Sequence, residues 1–210
     1  MDSGGTPGAD LIRVCRCLYA RGLVAATDGN VSCRCEDGTL WITPSGVAKG
    51  ELEEADLLRV DERGQVIAGK GKPSSEFRMH LAVYADRPDV QAVVHAHPPL
   101  LTAFTLAGVP FVAETLPEVW LSIGPVPTAA YATPSTAEVV TAIAPYIPNH
   151  QAILLERHGS LTMGRDLKEA YLRLEKLEHA AHTLLYSQLL NGRQPAPLPP
   201  EALVKLAALR

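Results

Sequence analysis

Three histidines are spaced so that their imidazoles could bind one metal ion. His95 and His97 are separated by one residue at the end of a valine-rich run, and side chains two apart in a strand point to the same side. His158 follows a second apolar run and precedes Gly159, which places it at another strand end. Imidazoles bind zinc at about 2.0–2.1 Å, and a catalytic zinc has three protein ligands and an open position. The alternative is that these are ordinary hydrogen-bonded histidines.

Glu76 is the nearest candidate for a catalytic carboxylate. It opens a predicted helix directly after Ser74 and Ser75. The start of a helix presents free backbone N–H groups, and serine hydroxyls add donors, so this position suits a phosphate group. The simpler alternative is that one of the serines only caps the helix and Glu76 adds charge to its first turn.

Two polar turns are weaker candidates for the same purpose. They are Gly29-Asn30-Val31-Ser32 and Thr43-Pro44-Ser45-Gly46, each beside a predicted strand. Turn chemistry alone explains their composition. They would matter for anion binding if the chain folds them close to Ser74 and Ser75.

The elements that must position these residues alternate between helix and strand, which favours a layered α/β domain. Apolar spacing and turn residues predict helices over 11–22, 76–86, 100–107, 136–146, 167–190 and 201–210. They predict strands over 31–35, 40–43, 57–60, 65–68, 90–95, 111–113, 123–126, 152–156 and 161–163. We expect a mobile tail at 1–8, one domain over 9–192 and a C-terminal extension over 193–210.

The bulk composition excludes several classes of protein. The 210 residues carry a formal net charge of −4 and no basic stripe, which argues against nucleic-acid binding. Residues 90–113 carry no formal charge, but they include two histidines and three prolines, which are unsuited to a membrane span. The first residues lack the pattern of a signal peptide, so we expect a cytoplasmic protein with reduced cysteines.

Several short motifs together resemble the class II aldolase/adducin head family, most closely its fuculose-1-phosphate aldolase branch. They occur in the family's order, and the resemblance runs from about residue 11 to residue 190. The motifs are Gly29-Asn30-x-Ser32, Thr43-Pro44-Ser45-Gly46, Ser74-Ser75-Glu76-x-x-x-His80, Arg87-Pro88-Asp89-Val90, Val94-His95-x-His97 and Arg157-His158-Gly159.

The resemblance implies a three-layer αβα fold, in which a central, mainly antiparallel sheet lies between helical layers. It implies a homotetramer with active sites between subunits. By motif, His95, His97 and His158 would bind Zn2+, or another divalent metal such as Mn2+ or Co2+. Glu76 would be the acid/base and would complete the metal shell when substrate is absent. The phosphate pocket would consist of Asn30, Ser45, Gly46, Ser74 and Ser75.

The activity implied is that of a lyase that cleaves a ketose 1-phosphate, such as L-fuculose 1-phosphate, into dihydroxyacetone phosphate and an aldehyde. The aldolase branch has a tyrosine acid/base between residues 114 and 124, where this chain has none. Glu118 lies about where it should be, as in methylthioribulose-1-phosphate dehydratases. A sugar-phosphate dehydratase or a sugar-acid decarboxylase is therefore the alternative. A non-catalytic, adducin-like assembly module is a third, although such heads lose the metal histidines.

Overall fold

A computed structural model of the chain describes residues 6–209. Its first helix, α1 (Pro7–Ala20), begins at Pro7, so the last two residues of the predicted tail at 1–8 are helical. Residues 1–5 of that tail lie outside the described part. Thr6 is the N-cap, and its hydroxyl accepts a hydrogen bond of 3.2 Å from the N–H of Ala9. Proline at the first helical position needs no N–H partner, so this start is locally favoured.

An eight-stranded sheet forms the centre of the molecule, with the strand order β4-β3-β2-β1-β5-β8-β7-β6. Every neighbouring pair is antiparallel except β6 and β7, which are parallel. The strands are β1 (Asn30–Arg34), β2 (Leu40–Ile42), β3 (Leu58–Val60), β4 (Val66–Ala68), β5 (Ala92–Ala96), β6 (Thr128–Ala129), β7 (Ala152–Leu155) and β8 (Gly159–Gly164).

Helices cover both faces of this sheet, so the predicted three-layer α/β architecture is confirmed. The remaining helices are α2 (Phe77–Asp86), α3 (Pro99–Leu106), α4 (Pro117–Ser122), α5 (Ala137–Ile143), α6 (Leu167–Asn191) and α7 (Pro200–Ala207). Short 3-10 turns lie at Glu54–Asp56, Ala113–Thr115 and Ile147–Asn149.

The two faces of β5 belong to two different hydrophobic cores. Val94 packs in a core that includes residues of α1, α3 and α6, whereas Val93 packs in one that includes residues of α2 and α5. This follows from the alternation of side chains along a strand whose two faces are both covered. His95 therefore points to the side of the sheet on which α2 lies.

The predicted strands at 111–113 and 123–126 are wrong. Ala113 begins a 3-10 turn, and Ile123 is the C-cap of α4, a helix that the sequence patterns did not predict. The apolar side chains in this stretch, such as Phe111, suggested buried strands, and they are indeed buried. The prolines nearby prevent the backbone hydrogen bonding that a strand needs. Strand β6 was also missed, since it has only two residues.

The uncharged stretch at 90–113 holds β5 and α3 rather than one long helix. Among the described residues, every helix is too short or too polar to cross a membrane.

Candidate metal centre and anion pocket

The three predicted histidines meet at one end of the β5–β8 seam. His95 lies within β5 opposite Leu161 of β8, His97 follows the end of β5, and His158 immediately precedes β8. Their ring centroids lie 4.8–5.0 Å apart. His95 is fully buried, and the other two are partly buried at the mouth of a cavity.

Glu76 joins this cluster from the N-terminus of α2. Its Oε2 lies 3.0 Å from Nε2 of His95, and its Oε1 lies 3.0 Å from Nε2 of His158. One ligand atom from each of the four residues falls within 4.8 Å of all the others. The structure thus brings together the four residues that the sequence proposed as a metal shell.

Hydrogen bonds to the backbone fix the tautomer of His95. Its Nδ1 lies 2.9 Å from the carbonyl oxygen of Ser160, so Nδ1 carries the proton and donates it. The lone pair of His95 then lies on Nε2, which faces Nε2 of His97 at 3.0 Å. Nδ1 of His97 lies 3.7 Å from a carboxylate oxygen of Asp28. A hydrogen bond such as that from His95 to Ser160 orients a metal-bound imidazole.

Electrostatics favour ligands in their metal-binding protonation states. Burial, together with the neighbouring His95 and His158, lowers the pKa of His97 to about 4, so its imidazole is neutral at pH 7. Burial by itself would raise the pKa of Glu76, but close contacts with His158 and His95 hold that pKa well below its ordinary range. A neutral imidazole and an ionised carboxylate are the forms that bind metal.

The geometry fits a small divalent cation. Oε1 of Glu76 is buried, and its contact with His158 lacks the alignment of a hydrogen bond, as expected when both atoms point at a common centre. Tetrahedral zinc with bonds of about 2.0–2.1 Å separates its ligand atoms by roughly 3.4 Å. The observed 3.0 Å contacts are close to that spacing.

The loop that carries His158 has an unusual backbone. Arg157 has a φ of 60°, a left-handed conformation that is rare for residues other than glycine. Its N–H donates to the hydroxyl of Thr105 at 3.0 Å, which helps to hold it there. Position 159 requires glycine, because a Cβ there would lie 2.3 Å from the carbonyl oxygen of Ala96 and 2.9 Å from the ring of His97.

A cavity of about 400 Å³ opens beside the histidines. Asn30, Ser45, Gly46, Ser74 and Ser75, the residues proposed for a phosphate pocket, all line it. The structure therefore places the two polar turns and the start of α2 together, as the phosphate hypothesis requires.

Polar contacts within this cavity leave groups free for a ligand. The side-chain amide of Asn30 donates to Oγ of Ser74 at 2.9 Å, while its carbonyl oxygen is buried without a protein partner. Oγ of Ser75 lies 2.7 Å from Oγ of Ser135. If the Asn30 amide is rotated by 180°, Ser74 donates to its oxygen, and its NH2 group takes the buried position that has no protein partner.

Glu118 does not join the site within this chain. It is exposed on α4 and is absent from the described residues that line the cavity. The same helix is held by α7, because the indole N–H of Trp120 donates to the carbonyl oxygen of Leu203 at 3.2 Å. Within this chain, Glu118 therefore lies outside the cavity.

Sequence reasoning missed several residues near the site. Thr27, Asp28 and Ser135 line the cavity, and Ser135 adopts a left-handed φ of 65° that no local pattern indicates. Lys49 is also unexpected, because it is 1% exposed and lies behind the cavity's loops. A lysine is rarely so deeply buried. Its position between two loops depends on the tertiary fold, so the sequence alone did not indicate it.

A second unpredicted feature lies beneath the metal ligands. Nδ1 of His80 lies 2.6 Å from the hydroxyl of Ser32, which in turn lies 2.8 Å from the hydroxyl of Tyr84. Burial and the nearby His95 lower the pKa of His80 to about 3, so this imidazole is neutral. These buried hydrogen bonds connect the helix that carries Glu76 to β1.

Comparison with known proteins places these features in one family. The family model for the class II aldolase and adducin N-terminal domain matches residues 9–185. The chain is 37% identical over 172 residues to an L-fuculose phosphate aldolase from Methanococcus vannielii, covering 82% of this chain and 92% of that protein.

Two further relatives carry different names. A 3-oxo-tetronate 4-phosphate decarboxylase from Pectobacterium atrosepticum is 33% identical over 177 residues, with 82% of this chain and 81% of that protein covered. A 5-methylthioribulose-1-phosphate/5-deoxyribulose-1-phosphate aldolase from Rhodospirillum rubrum is 35% identical over 196 residues, with 93% and 87% covered.

Solved structures have the same fold. An L-fuculose 1-phosphate aldolase superimposes with a TM-score of 0.88 at 29% identity, covering 100% of this chain and 97% of that one. The protein YgbL from Klebsiella pneumoniae superimposes with a TM-score of 0.87 at 32% identity, covering 97% and 100%.

Proposed function

The chain belongs to the class II aldolase and adducin N-terminal domain family and is a metal-dependent aldolase, and from this premise we propose its reaction. It cleaves a ketose 1-phosphate, such as L-fuculose 1-phosphate, into dihydroxyacetone phosphate and an aldehyde. The observation that carries this proposal is the convergence of Glu76 with three histidines at the edge of a hydroxyl-lined cavity. Such a site would bring a metal, a proton carrier and a phosphate group together.

We assign the metal as zinc, with Mn2+ or Co2+ as substitutes. Three imidazoles and one carboxylate form a donor set that suits zinc, and displacement of the carboxylate would leave a position for substrate. When bound, the metal supplies Lewis-acid polarisation of the substrate carbonyl.

The phosphate group would be held by Asn30, Ser45, Gly46, Ser74 and Ser75. These residues supply hydroxyl, amide and backbone groups in a cavity of about 400 Å³, a suitable size for a small sugar phosphate. Anchoring the phosphate there would direct the carbonyl end of the sugar toward the histidines.

Glu76 is proposed to carry the proton. In cleavage, a carboxylate at the aldehyde end, for which we propose Glu118 of a neighbouring subunit, would take the proton of the C4 hydroxyl. The C3–C4 bond then breaks to release the aldehyde, and its electron pair passes to the enediolate of dihydroxyacetone phosphate. Glu76, after taking a proton from water, would donate it to the enediolate carbon, and in synthesis it would remove that proton. Burial raises the carboxyl pKa whereas the imidazole contacts lower it, so movement away from them would favour the protonated acid.

A homotetramer with sites shared between subunits would give Glu118 a function. Its exposure on α4 leaves it free to reach a neighbouring subunit, where it could act on the aldehyde end of the substrate. We propose this arrangement together with a cytoplasmic location.

Two alternatives use the same site. A glutamate in place of the aldolase tyrosine, and the decarboxylase among the relatives, favour dehydration or decarboxylation as the second candidate. A non-catalytic assembly module is disfavoured, since such a module has no need for the clustered histidines and Glu76.

Product analysis separates these reactions. Purified zinc-loaded protein is incubated with fuculose 1-phosphate, ribulose 1-phosphate, methylthioribulose 1-phosphate and a 3-oxo sugar-acid phosphate. The proposal expects dihydroxyacetone phosphate from at least one ketose 1-phosphate, measured by coupled oxidation of NADH. If no dihydroxyacetone phosphate forms and methylthioribulose 1-phosphate loses water, the protein is a dehydratase. If none forms and the sugar acid releases CO2, it is a decarboxylase.

A further inference from the structure

The anion pocket lacks a positive side chain of its own. Among the described residues that line it, none is lysine or arginine, and Asp28 and Glu76 contribute carboxylates. A sugar phosphate is close to a dianion near pH 7, since its second pKa is about 6. Hydroxyl and amide donors can bind it, but they do not balance its charge.

A positive charge lies immediately behind the pocket. Lys49 is 1% exposed, and its Nζ donates to the carbonyl oxygens of Thr27 and Val47, each at 2.9 Å. Thr27 lines the pocket, and Val47 follows the pocket residue Gly46. The ammonium group thus joins the two loops that form one wall of the cavity.

This charge has no ion-pair partner among the described residues, although the carboxylate of Asp28 lies near enough to interact with it at longer range. In the described part of the chain no carboxylate forms an ion pair with Nζ of Lys49. Burial raises the pKa of the nearby Cys15 to about 12, so this thiol is uncharged at pH 7. Burial lowers the pKa of Lys49, as expected for a desolvated ammonium group, although Cys15 and Asp28 oppose the shift. An unpaired buried charge is costly unless something compensates it.

We propose that Lys49 provides the charge that stabilises a phosphate group in the adjoining pocket, acting across the Thr27 and Gly46 loops without touching the ligand. Lys49 is therefore a positioning residue that selects a dianionic substrate over a neutral sugar. This inference rests on the phosphate pocket of the proposed function. The alternative is that Lys49 only ties the two loops together.

Three variants separate charge from loop support. Lys49→Met keeps the length and removes both charge and donors, Lys49→Gln removes the charge but keeps an NH2 donor, and Lys49→Arg keeps the charge. Neither neutral variant leaves a buried charge behind, so we expect both to fold, with circular dichroism as the check. Lys168→Gln, an exposed lysine on α6, is the control for an equal change in net charge.

Titration calorimetry of the zinc-loaded proteins with inorganic phosphate is the primary measurement. We expect both neutral variants to bind phosphate at least tenfold more weakly than the parent protein. Lys49→Arg should remain within about threefold, and Lys168→Gln within about twofold. Zinc affinity should stay within about twofold in all four, and with a ketose 1-phosphate the KM should rise while kcat changes by less than about threefold.

Phosphate affinity within twofold of the parent in both neutral variants would overturn the proposal. So would a parallel loss of zinc and phosphate binding in all three Lys49 variants, because that pattern indicates loop support alone. The binding assay needs no turnover. If the parent protein binds phosphate but cleaves no ketose, the proposed reaction fails while the role of Lys49 stands.

Discussion

Replacement of Gly159 by alanine tests how the fold positions the metal ligands. The added Cβ would lie 2.3 Å from the carbonyl oxygen of Ala96 and 2.9 Å from the ring of His97. The first of these contacts is with the backbone of β5, which cannot rotate away. The change therefore presses on the β5–β8 seam between two of the proposed ligands, His97 and His158.

The size of the effect follows from these distances. An ordinary carbon–oxygen contact is roughly 3.3 Å, so the strands must separate by about 1 Å, a shift typical of overpacked cores that cost ~1–3 kcal/mol. In a chain of 210 residues this lowers the unfolding midpoint by about 2–12 °C. Displaced ligands should also weaken zinc binding by about 10–100-fold, the usual effect of disturbing the surroundings of a metal site.

Calorimetric unfolding of the metal-free protein, and competition for zinc with a chromophoric chelator, measure both effects. Gly8→Ala is the matched control, because the nearest atom to its Cβ in α1 would be the flexible carboxylate of Glu54 at 3.1 Å, with Leu57 at an ordinary contact distance of 3.5 Å. That variant should unfold within about 2 °C of the parent, since alanine favours helix. Parent-like zinc affinity and an unchanged midpoint in Gly159→Ala would refute the account of the seam.

Four further predictions address individual side chains. Glu76→Gln should retain zinc on the three histidines but lose roughly 10²–10⁴-fold in kcat, and near-normal turnover would contradict its proton-carrying role. Asn30→Asp adds a negative charge to the anion pocket and should weaken binding of inorganic phosphate at least about tenfold by calorimetry, whereas unchanged affinity would exclude Asn30 from the pocket. Folding lowers the pKa of His80 to about 3. Below about pH 6.5 the unfolded chain therefore binds a proton that the folded chain does not, and the free energy of unfolding decreases as the pH is lowered. From pH 7 to pH 5 this loss is about 2 kcal/mol in urea unfolding of the metal-free protein, and a His80→Gln variant with the same pH slope would contradict the assignment. Glu118→Gln should lower kcat, and unchanged kinetics would leave Glu118 with a structural role only.

The metal ligands were predictable because their spacing depends on local geometry. His95 and His97 share a side through strand alternation, and His158 lies between two predicted strands, so it was expected at a strand end. The long helix α6 was predictable for a similar reason. Asp166 accepts a hydrogen bond from the N–H of Glu169, and Gly192 ends the helix in a left-handed conformation with φ 70°.

The wall of the anion pocket required the tertiary fold. Asn30 and Ser74 are 44 residues apart, and Ser75 and Ser135 are 60 apart, so their hydrogen bonds leave no periodic signal in the sequence. Lys49 looks like a surface residue until the fold places its ammonium group between two loop carbonyls.

Elsewhere, burial without regular hydrogen bonding misled the prediction. Phe111 and Ile123 are buried, but they lie in a proline-rich stretch that forms short helical turns rather than strands. An apolar run indicates that a segment is buried. Whether the segment forms a strand depends here on its prolines, which lack the N–H donor that strand pairing needs.

Metal-dependent release of dihydroxyacetone phosphate tests the central claim most directly. The purified protein is stripped with a chelator, assayed with fuculose 1-phosphate and related ketose 1-phosphates, and assayed again after one equivalent of zinc per chain is added. The account predicts no release from the stripped protein and restored release with zinc, absent again in a His95→Ala variant. Equal release with and without metal, or none from any ketose 1-phosphate in the zinc-loaded protein, would contradict it.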